Sequence, residues 1–260
     1  VCAALAASGV ADVALLRQPN QGNAAARNAG IRASHGEFVL CLDSDDLLEP
    51  TMLADCVTYL RQHPEVDVVY TQHRYVAAGG SLLSKAPAPE PLNGDLLEPL
   101  LLGFPILPSS ALVRRACFEH WGFYTPGLDD WELWLRWAVQ GCRFACLAQP
   151  LIRYRLHDQN LNLDLDRRRD AHFRMLDAFY RRADLPPQAL ALRDRAYAQQ
   201  HLHFGVLALQ QGRLADGERD FALAVERYPA YLLDQDAYTR LACAHQGRWA
   251  QGTPVGLDLR

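Results

Sequence analysis

The stretch that most constrains the fold is Gly36 to Asp46, GEFVLCLDSDD. Phe38-Val39-Leu40-Cys41-Leu42 is an unbroken apolar run, short, in part β-branched or aromatic, and closely preceded by a glycine. That pattern predicts a buried strand of a parallel sheet. Three carboxylates, Asp43, Asp45 and Asp46, crowd in directly after it. In open α/β sheets, ligands bind at the carboxyl ends of strands. Carboxylates this close repel one another unless something positive sits among them. A hard divalent cation carrying phosphate oxygens suits the place, because Mg²⁺ is usually held by one or two carboxylates plus substrate phosphates. The competing reading is a solvated acidic turn that caps a helix opened by Pro50. The flanking sequence decides between them.

Composition sets the outer bounds. The chain has 260 residues, 50% of them hydrophobic, enough for one large or two small units with real cores. Its net charge of −4 is mild, and no basic stripe or polybasic run points to nucleic acid or an anionic membrane. The seven cysteines are odd in number, scattered, and without a Cys-x-x-Cys spacing. A reduced cytoplasmic chain fits this better than a disulfide framework or a zinc site. No apolar stretch is long enough to span a bilayer.

Taken in order, Val1 to Ser8 reads as the end of a helix and residues 12–16 as a short strand. Residues 23–34 form an Ala-rich helix, and the acidic strand follows. Pro50 opens a helix whose apolar face is Leu53, Cys56, Val57 and Leu60. Strands are expected at 66–70, 109–113, 144–147 and 151–154, and helices at 95–102 and 129–140, with a Gly/Pro-rich loop or edge hairpin over 77–95. This alternation predicts an α/β sheet. Beyond Asn160 strand signals vanish, and helices are expected at 166–183, 188–211 and 214–228. Gln211-Gly212-Arg213-Leu214-Ala215-Asp216-Gly217 returns as Gln246-Gly247-Arg248-Trp249-Ala250-Gln251-Gly252, an offset of 35, near the roughly 34 residues of tetratricopeptide repeats.

Asn20-Gln21-Gly22, Ala26-Arg27-Asn28-Ala29-Gly30-Ile31, Gly36-Glu37 and Leu42-Asp43-Ser44-Asp45-Asp46 resemble, in order and spacing, the family 2 glycosyltransferases with the A-type fold. So do Leu128 to Arg136 (LDDWELWLR) and Tyr154-Arg155-Leu156-His157. The resemblance covers roughly residues 1–160. It implies a partial nucleotide-diphospho-sugar transferase sheet with helices on both faces, followed by an all-α extension over 161–260. It implies a metal-dependent, inverting transfer of a sugar from a nucleotide-diphosphate donor to a glycan, lipid-linked or protein acceptor, as in surface polysaccharide or glycoconjugate synthesis. The implied location is the cytoplasm, with peripheral attachment at the inner membrane face as an option, and the helical region is a candidate surface for a protein partner.

The family's motif carries specific roles onto this chain. Asp43 is placed on the ribose or metal side and Asp45 on the metal, which is Mn²⁺ or Mg²⁺. Arg27 and Asn28 shape the donor pocket or brace the acidic loop. Asn is a poor residue for a helix interior, which favours a structural bond for Asn28. For Asp46, capping of the Pro50 helix is preferred to a role around the metal. Asp129-Asp130-Trp131-Glu132 has the spacing of a capping box, with Asp129 as N-cap and Glu132 reaching back. That leaves Asp130 as the preferred general base, with Asp129 as the alternative. His157 is a metal-ligand candidate, since neutral imidazole suits Mn²⁺.

Two other readings stand beside this one. A haloacid-dehalogenase-like phosphatase also sets Asp-x-Asp after a strand, but the single lysine, Lys85, lies in a Pro-rich loop. A non-catalytic repeat module on an inactive transferase remnant is the main alternative. The resemblance also implies that an opening strand, helix and acidic-ended strand precede Val1 in a complete enzyme.

Overall fold

The computed structural model of the chain describes residues 13–83, 91–103, 106–128, 130–157 and 164–233. Its framework is a five-stranded sheet built from β1 (Phe38–Leu40), β2 (Leu47–Leu48), β3 (Val68–Ala77), β4 (Ala111–Arg114) and β5 (Phe144–Leu156). The order is β1-β4-β3-β5-β2. Only β3 and β5 pair in parallel; β4 runs antiparallel to both β1 and β3, and β2 runs antiparallel to β5.

Side-chain alternation along these strands divides the interior in two. Val68, Tyr70, Ala111, Val113 and Phe144 face one hydrophobic core, while Val69, Leu112 and Ala145 face the other. The second core is closed by α2 (Met52–Gln62) through Met52, Cys56 and Leu60, all fully buried. The first is larger. It is covered by α1 (Gly22–Ala33), α3 (Leu97–Leu101), α4 (Arg115–Trp121) and α5 (Asp130–Val139). On α5, Leu133, Trp134 and Trp137 are essentially inaccessible, and burying such side chains stabilises the fold by about 1.5–3 kcal/mol each. Gly141, with φ +92°, ends the α5 segment in a backbone conformation that L side chains rarely adopt.

The helical part comprises α6 (Leu165–Tyr180), α7 (Pro187–Ala191), α8 (Arg193–Gln210) and α9 (Leu214–Arg227). Met175, Leu176 and Phe179 of α6, with Leu185, Ala189, Ala196 and Tyr197, belong to the same core as the sheet face. Helices α8 and α9 pack closely at Gly217, where an added Cβ would lie 2.6 Å from Leu209 Cδ2. The first copy of the heptapeptide echo is thus the α8–α9 turn and the start of α9. The second copy lies outside the described residues.

Several expectations are corrected. Residues 13–16 form no strand, and Val13, Leu15 and Leu16 are exposed; the remainder of the expected opening helix and strand lies outside the described residues. The strand at Phe38 stops at Leu40, and its pairing is antiparallel to β4, because β4 inserts between β1 and β3. The two strands expected over 144–154 are one, β5. Its pairing with β3 is irregular where Gln72 meets Pro150, which accommodates a residue with no N–H to give the ladder. The expected single helix over 188–211 breaks at Leu192 into α7 and α8.

Candidate active site

The carboxyl end of β1 leads through Cys41 and Leu42 into the acidic loop, and each carboxylate of that loop has a different partner. Asp43 accepts from Arg27 Nη2 of α1 at 2.7 Å. The Arg27 guanidinium also lies 5.4 Å from the Tyr124 ring. Burial disfavours its charge, but Asp43, Tyr124 and Asp130 outweigh this and raise its pKa.

Asp45 Oδ2 lies 3.0 Å from His157 Nε2, just past the end of β5. Its backbone carbonyl accepts from Arg155 Nε at 2.9 Å. Asp46 is buried, and its Oδ1 accepts from the Arg155 backbone N–H at 3.2 Å. Burial pushes the Asp46 carboxyl up, although Ser109 and the Arg155 N–H bond to it, and Asp45 and Asp43 add to the rise. The capping role expected for Asp46 is therefore not what the fold uses. The α2 helix begins after Thr51 without a side-chain cap, and Asp46 ties the acidic loop to β5.

Asn28 is fully committed to structure. Its Nδ2 donates to the Tyr124 carbonyl at 2.8 Å, and the Tyr124 N–H donates to its Oδ1 at 3.0 Å. A buried amide in mid-helix thus clamps the backbone that follows α4, and this positions the Tyr124 ring under Arg27. The Glu132 carboxylate takes Arg136 at 2.9 Å, and Arg136 holds the carbonyls of Trp121 and Phe123. Glu132 is buried, and an unpaired buried carboxylate is costly. Asp130 opens α5, where the helix dipole favours its ionised form. Asp129 lies outside the described residues.

Sequence reasoning did not find Ser109, Tyr124 or Arg155. Ser109, fully buried in the 3₁₀ turn Pro108–Ser110, accepts from the Asp43 N–H at 3.1 Å and so joins Asp43 to Asp46. A serine before an apolar strand carries no distinguishing signal. Arg155 was visible only as a neighbour of His157.

A cleft of about 460 Å³ runs between α1 and β1, past Arg27, Gly30, Val39 and Cys41, to Asp43 and Ser44. Burial pushes the Cys41 thiol up, so it stays a neutral wall residue. Among the described residues no three His, Cys, Asp or Glu side chains gather as a metal site, and no helix is long and apolar enough to cross a membrane.

Residues 2–121 match the family model "Glycosyl transferase family 2". A chondroitin synthase of Escherichia coli is 24% identical over 180 residues, which is 64% of this chain and 24% of that protein. An uncharacterized glycosyltransferase of Methanocaldococcus jannaschii is 20% identical over 54% of this chain and 49% of its own length. The chain spans less than half the length of these relatives. Among solved structures, a mannosyltransferase from Pyrobaculum calidifontis, in complex with GDP-Man and Mn²⁺, superposes with a TM-score of 0.51. It is 18% identical, and the match covers 95% of this chain and 73% of that one.

Proposed function

Because the chain carries a glycosyltransferase family 2 domain over residues 2–121, we propose that it moves a sugar from a nucleotide-diphosphate donor to a glycan, lipid-linked or protein acceptor. The observation that carries this reading is the pairing of Asp45 with His157 beside an arginine-braced Asp43.

The donor set fits a divalent ion. One carboxylate and one imidazole in contact suit Mn²⁺ and, less well, Mg²⁺. With only two such ligands, the rest of the shell falls to diphosphate oxygens and water. The bound ion would neutralise charge on the departing nucleoside diphosphate. The Mn²⁺ and GDP-Man of the Pyrobaculum enzyme support this choice of donor class.

The chain's own residues divide the remaining work. Arg27 holds Asp43 in place at the mouth of the α1–β1 cleft, which receives the nucleotide. Ser109 and Arg155 fix the loop from beneath. Asp130, ionised at the helix start and close to Arg27, takes the proton of the acceptor hydroxyl as that oxygen attacks the anomeric carbon. In-line attack from the face opposite the leaving group inverts the anomeric centre. Residues 1–160 serve as the donor-binding unit, and residues 161–260 as a helical region on the acceptor side that also offers a surface for a protein partner.

The test is to incubate the chain with a panel of sugar nucleotides, with and without Mn²⁺, and to follow nucleoside diphosphate release by phosphorus NMR. Metal-dependent release supports the transferase reading. Tight nucleotide binding with no release, with or without acceptor sugars, favours the alternative of a non-catalytic helical binding module on an inactive remnant.

A further inference from the structure

Arg155 holds the acidic loop at two points and reaches a second segment with the rest of its side chain. Its backbone N–H donates to Asp46 Oδ1 at 3.2 Å, and its Nε donates to the Asp45 carbonyl at 2.9 Å. Its Nη1 donates to the Ala78 carbonyl at 2.6 Å. Ala78 lies in the turn that follows β3. That turn is closed by the Gly80 N–H on the Ala77 carbonyl and by the Ala77 N–H on the Ser81 carbonyl. One half-buried guanidinium therefore joins the turn after β3 to the loop after β1.

The sheet brings these segments to one end. Parallel pairing sets Val76 of β3 opposite Arg155 and Ala77 opposite Leu156. On the other side of β5, β2 pairs Leu47 with Arg153, so the acidic loop ends alongside the same stretch. His157 follows Arg155 by two positions, the spacing at which side chains of an extended chain leave on one side. One strand end thus meets Asp45 twice. Arg155 takes its carbonyl, and His157 lies 3.0 Å from its carboxylate.

The Asp45 side chain is 35% exposed and sits on a loop, so burial alone does not fix its direction. A bond to its own carbonyl restrains its peptide plane and with it the carboxylate. The guanidinium suits this task because its N–H donors diverge in a rigid planar fork. Nε and Nη1 can then reach carbonyls of two different segments at once. A lysine ammonium presents its donors from one point on a flexible stem and does not reproduce that span. Both of these acceptors are neutral carbonyls, so what the fork supplies through them is geometry rather than charge.

We infer that Arg155 is a positioning residue for the proposed metal–diphosphate site. Its fork ties the loop after β1 to the turn after β3 and so sets the Asp45 carboxylate against His157. The identity of the ligand rests on the transferase reading; the positioning of Asp45 rests on the bonds above.

The experiment compares Arg155→Lys with Arg153→Lys in the full chain. Arg153 is the matched control. It lies two residues away on the same strand, and its fork holds Glu49 rather than Asp45. Two measurements are made. Calorimetry reads the binding of a panel of nucleoside diphosphates with Mn²⁺, and NMR of the ligand-free chain reads the imidazole resonance of His157, assigned with His157→Gln. Arg155→Lys should weaken Mn²⁺-dependent binding by about tenfold or more, the scale of one hydrogen bond involving a charged group. It should also move the His157 resonance. Arg153→Lys should bind as the parent does and leave that resonance in place. Should Arg155→Lys fail to fold, Arg155→Gln, which keeps a single amide donor group, is read in the same way.

An unmoved His157 resonance in Arg155→Lys would overturn the positioning role, as would Mn²⁺-dependent binding equal to the parent's. Equal losses in both lysine variants would show a general weakening of the strand end and overturn it too. A parent that binds no nucleoside diphosphate with Mn²⁺ would remove the transferase reading, while the resonance still decides whether Arg155 sets the Asp45–His157 contact.

Discussion

Asp45 Oδ2 and His157 Nε2 meet at 3.0 Å across 112 positions of sequence. The loop after β1 and the end of β5 are brought together by two strands, β4 and β3, that lie between them in the sheet. Arg155 locks the approach by bonding to the Asp45 carbonyl and, through its N–H, to Asp46. Treatment with a chelator, which would remove the proposed ion, should not unfold the chain, because neither partner belongs to a core. Circular dichroism before and after chelation checks this, with unchanged far-ultraviolet spectra expected.

Arg27→Ala should lower nucleotide affinity by about tenfold, the scale of one charge-assisted hydrogen bond. Asp43 is 41% exposed at its side chain, so solvent screening keeps the stability loss under about 1 kcal/mol. Binding and denaturant titrations on the same variant separate the two effects. A large stability loss with intact binding would make Arg27 a structural brace only.

Asn28→Ala leaves the Tyr124 N–H and carbonyl without their buried partner. The expected cost is about 2–3 kcal/mol, read as a fall in the urea midpoint. Asn28→Asp keeps the acceptor but sets a buried carboxylate against the Tyr124 carbonyl, and at neutral pH should cost at least as much as Ala.

Asp130→Asn should leave donor binding unchanged and collapse turnover, because a proton acceptor matters only in the transition state. Asp129→Asn should keep most activity, since Asn caps nearly as well as Asp. Comparison of kcat with donor affinity for the two variants decides the assignment, and a lethal Asp129→Asn reverses it.

Asp220 is 1% exposed and bonded to His201 and Arg169. Burial alone would raise its carboxyl, but His201 and Arg169 outweigh it and hold the pKa below the usual value. A carboxyl with a depressed folded-state pKa adds stability above its unfolded pKa, and that stability is lost as pH falls through the folded value. Asp220 therefore contributes fully above about pH 4 and fades below it. Asp220→Asn should cost about 3–5 kcal/mol at neutral pH, because Arg169 is left unpaired. It should also flatten the acid limb of the Tm-against-pH curve.

How much of this was legible in the sequence differs from element to element. The helices over 22–33, 52–62 and 130–139 were readable from Ala-rich composition and from apolar spacing, although Leu53, expected on the buried face of α2, is exposed and Met52 takes that place. The acidic loop was readable because three carboxylates so close together demand an explanation. The pairing of β1 was not, since a short apolar run reads the same whether its neighbour is parallel or antiparallel. Asp46 was misread as the cap of the α2 helix. Local spacing ranks the nearest backbone N–H first, while burial hands the Asp46 carboxylate to Ser109 and Arg155 from distant segments. Ser109 and Tyr124 carry no local signal, as their positions depend on long-range packing alone.

The most direct test of the central claim is calorimetric titration of parent and Asp45→Ala with a panel of nucleoside diphosphates, with and without Mn²⁺. The account predicts that the parent binds at least one nucleoside diphosphate only when Mn²⁺ is present, and that Asp45→Ala loses this metal-dependent binding while remaining folded. Equal, metal-dependent binding by parent and Asp45→Ala would place the donor site elsewhere and contradict the account.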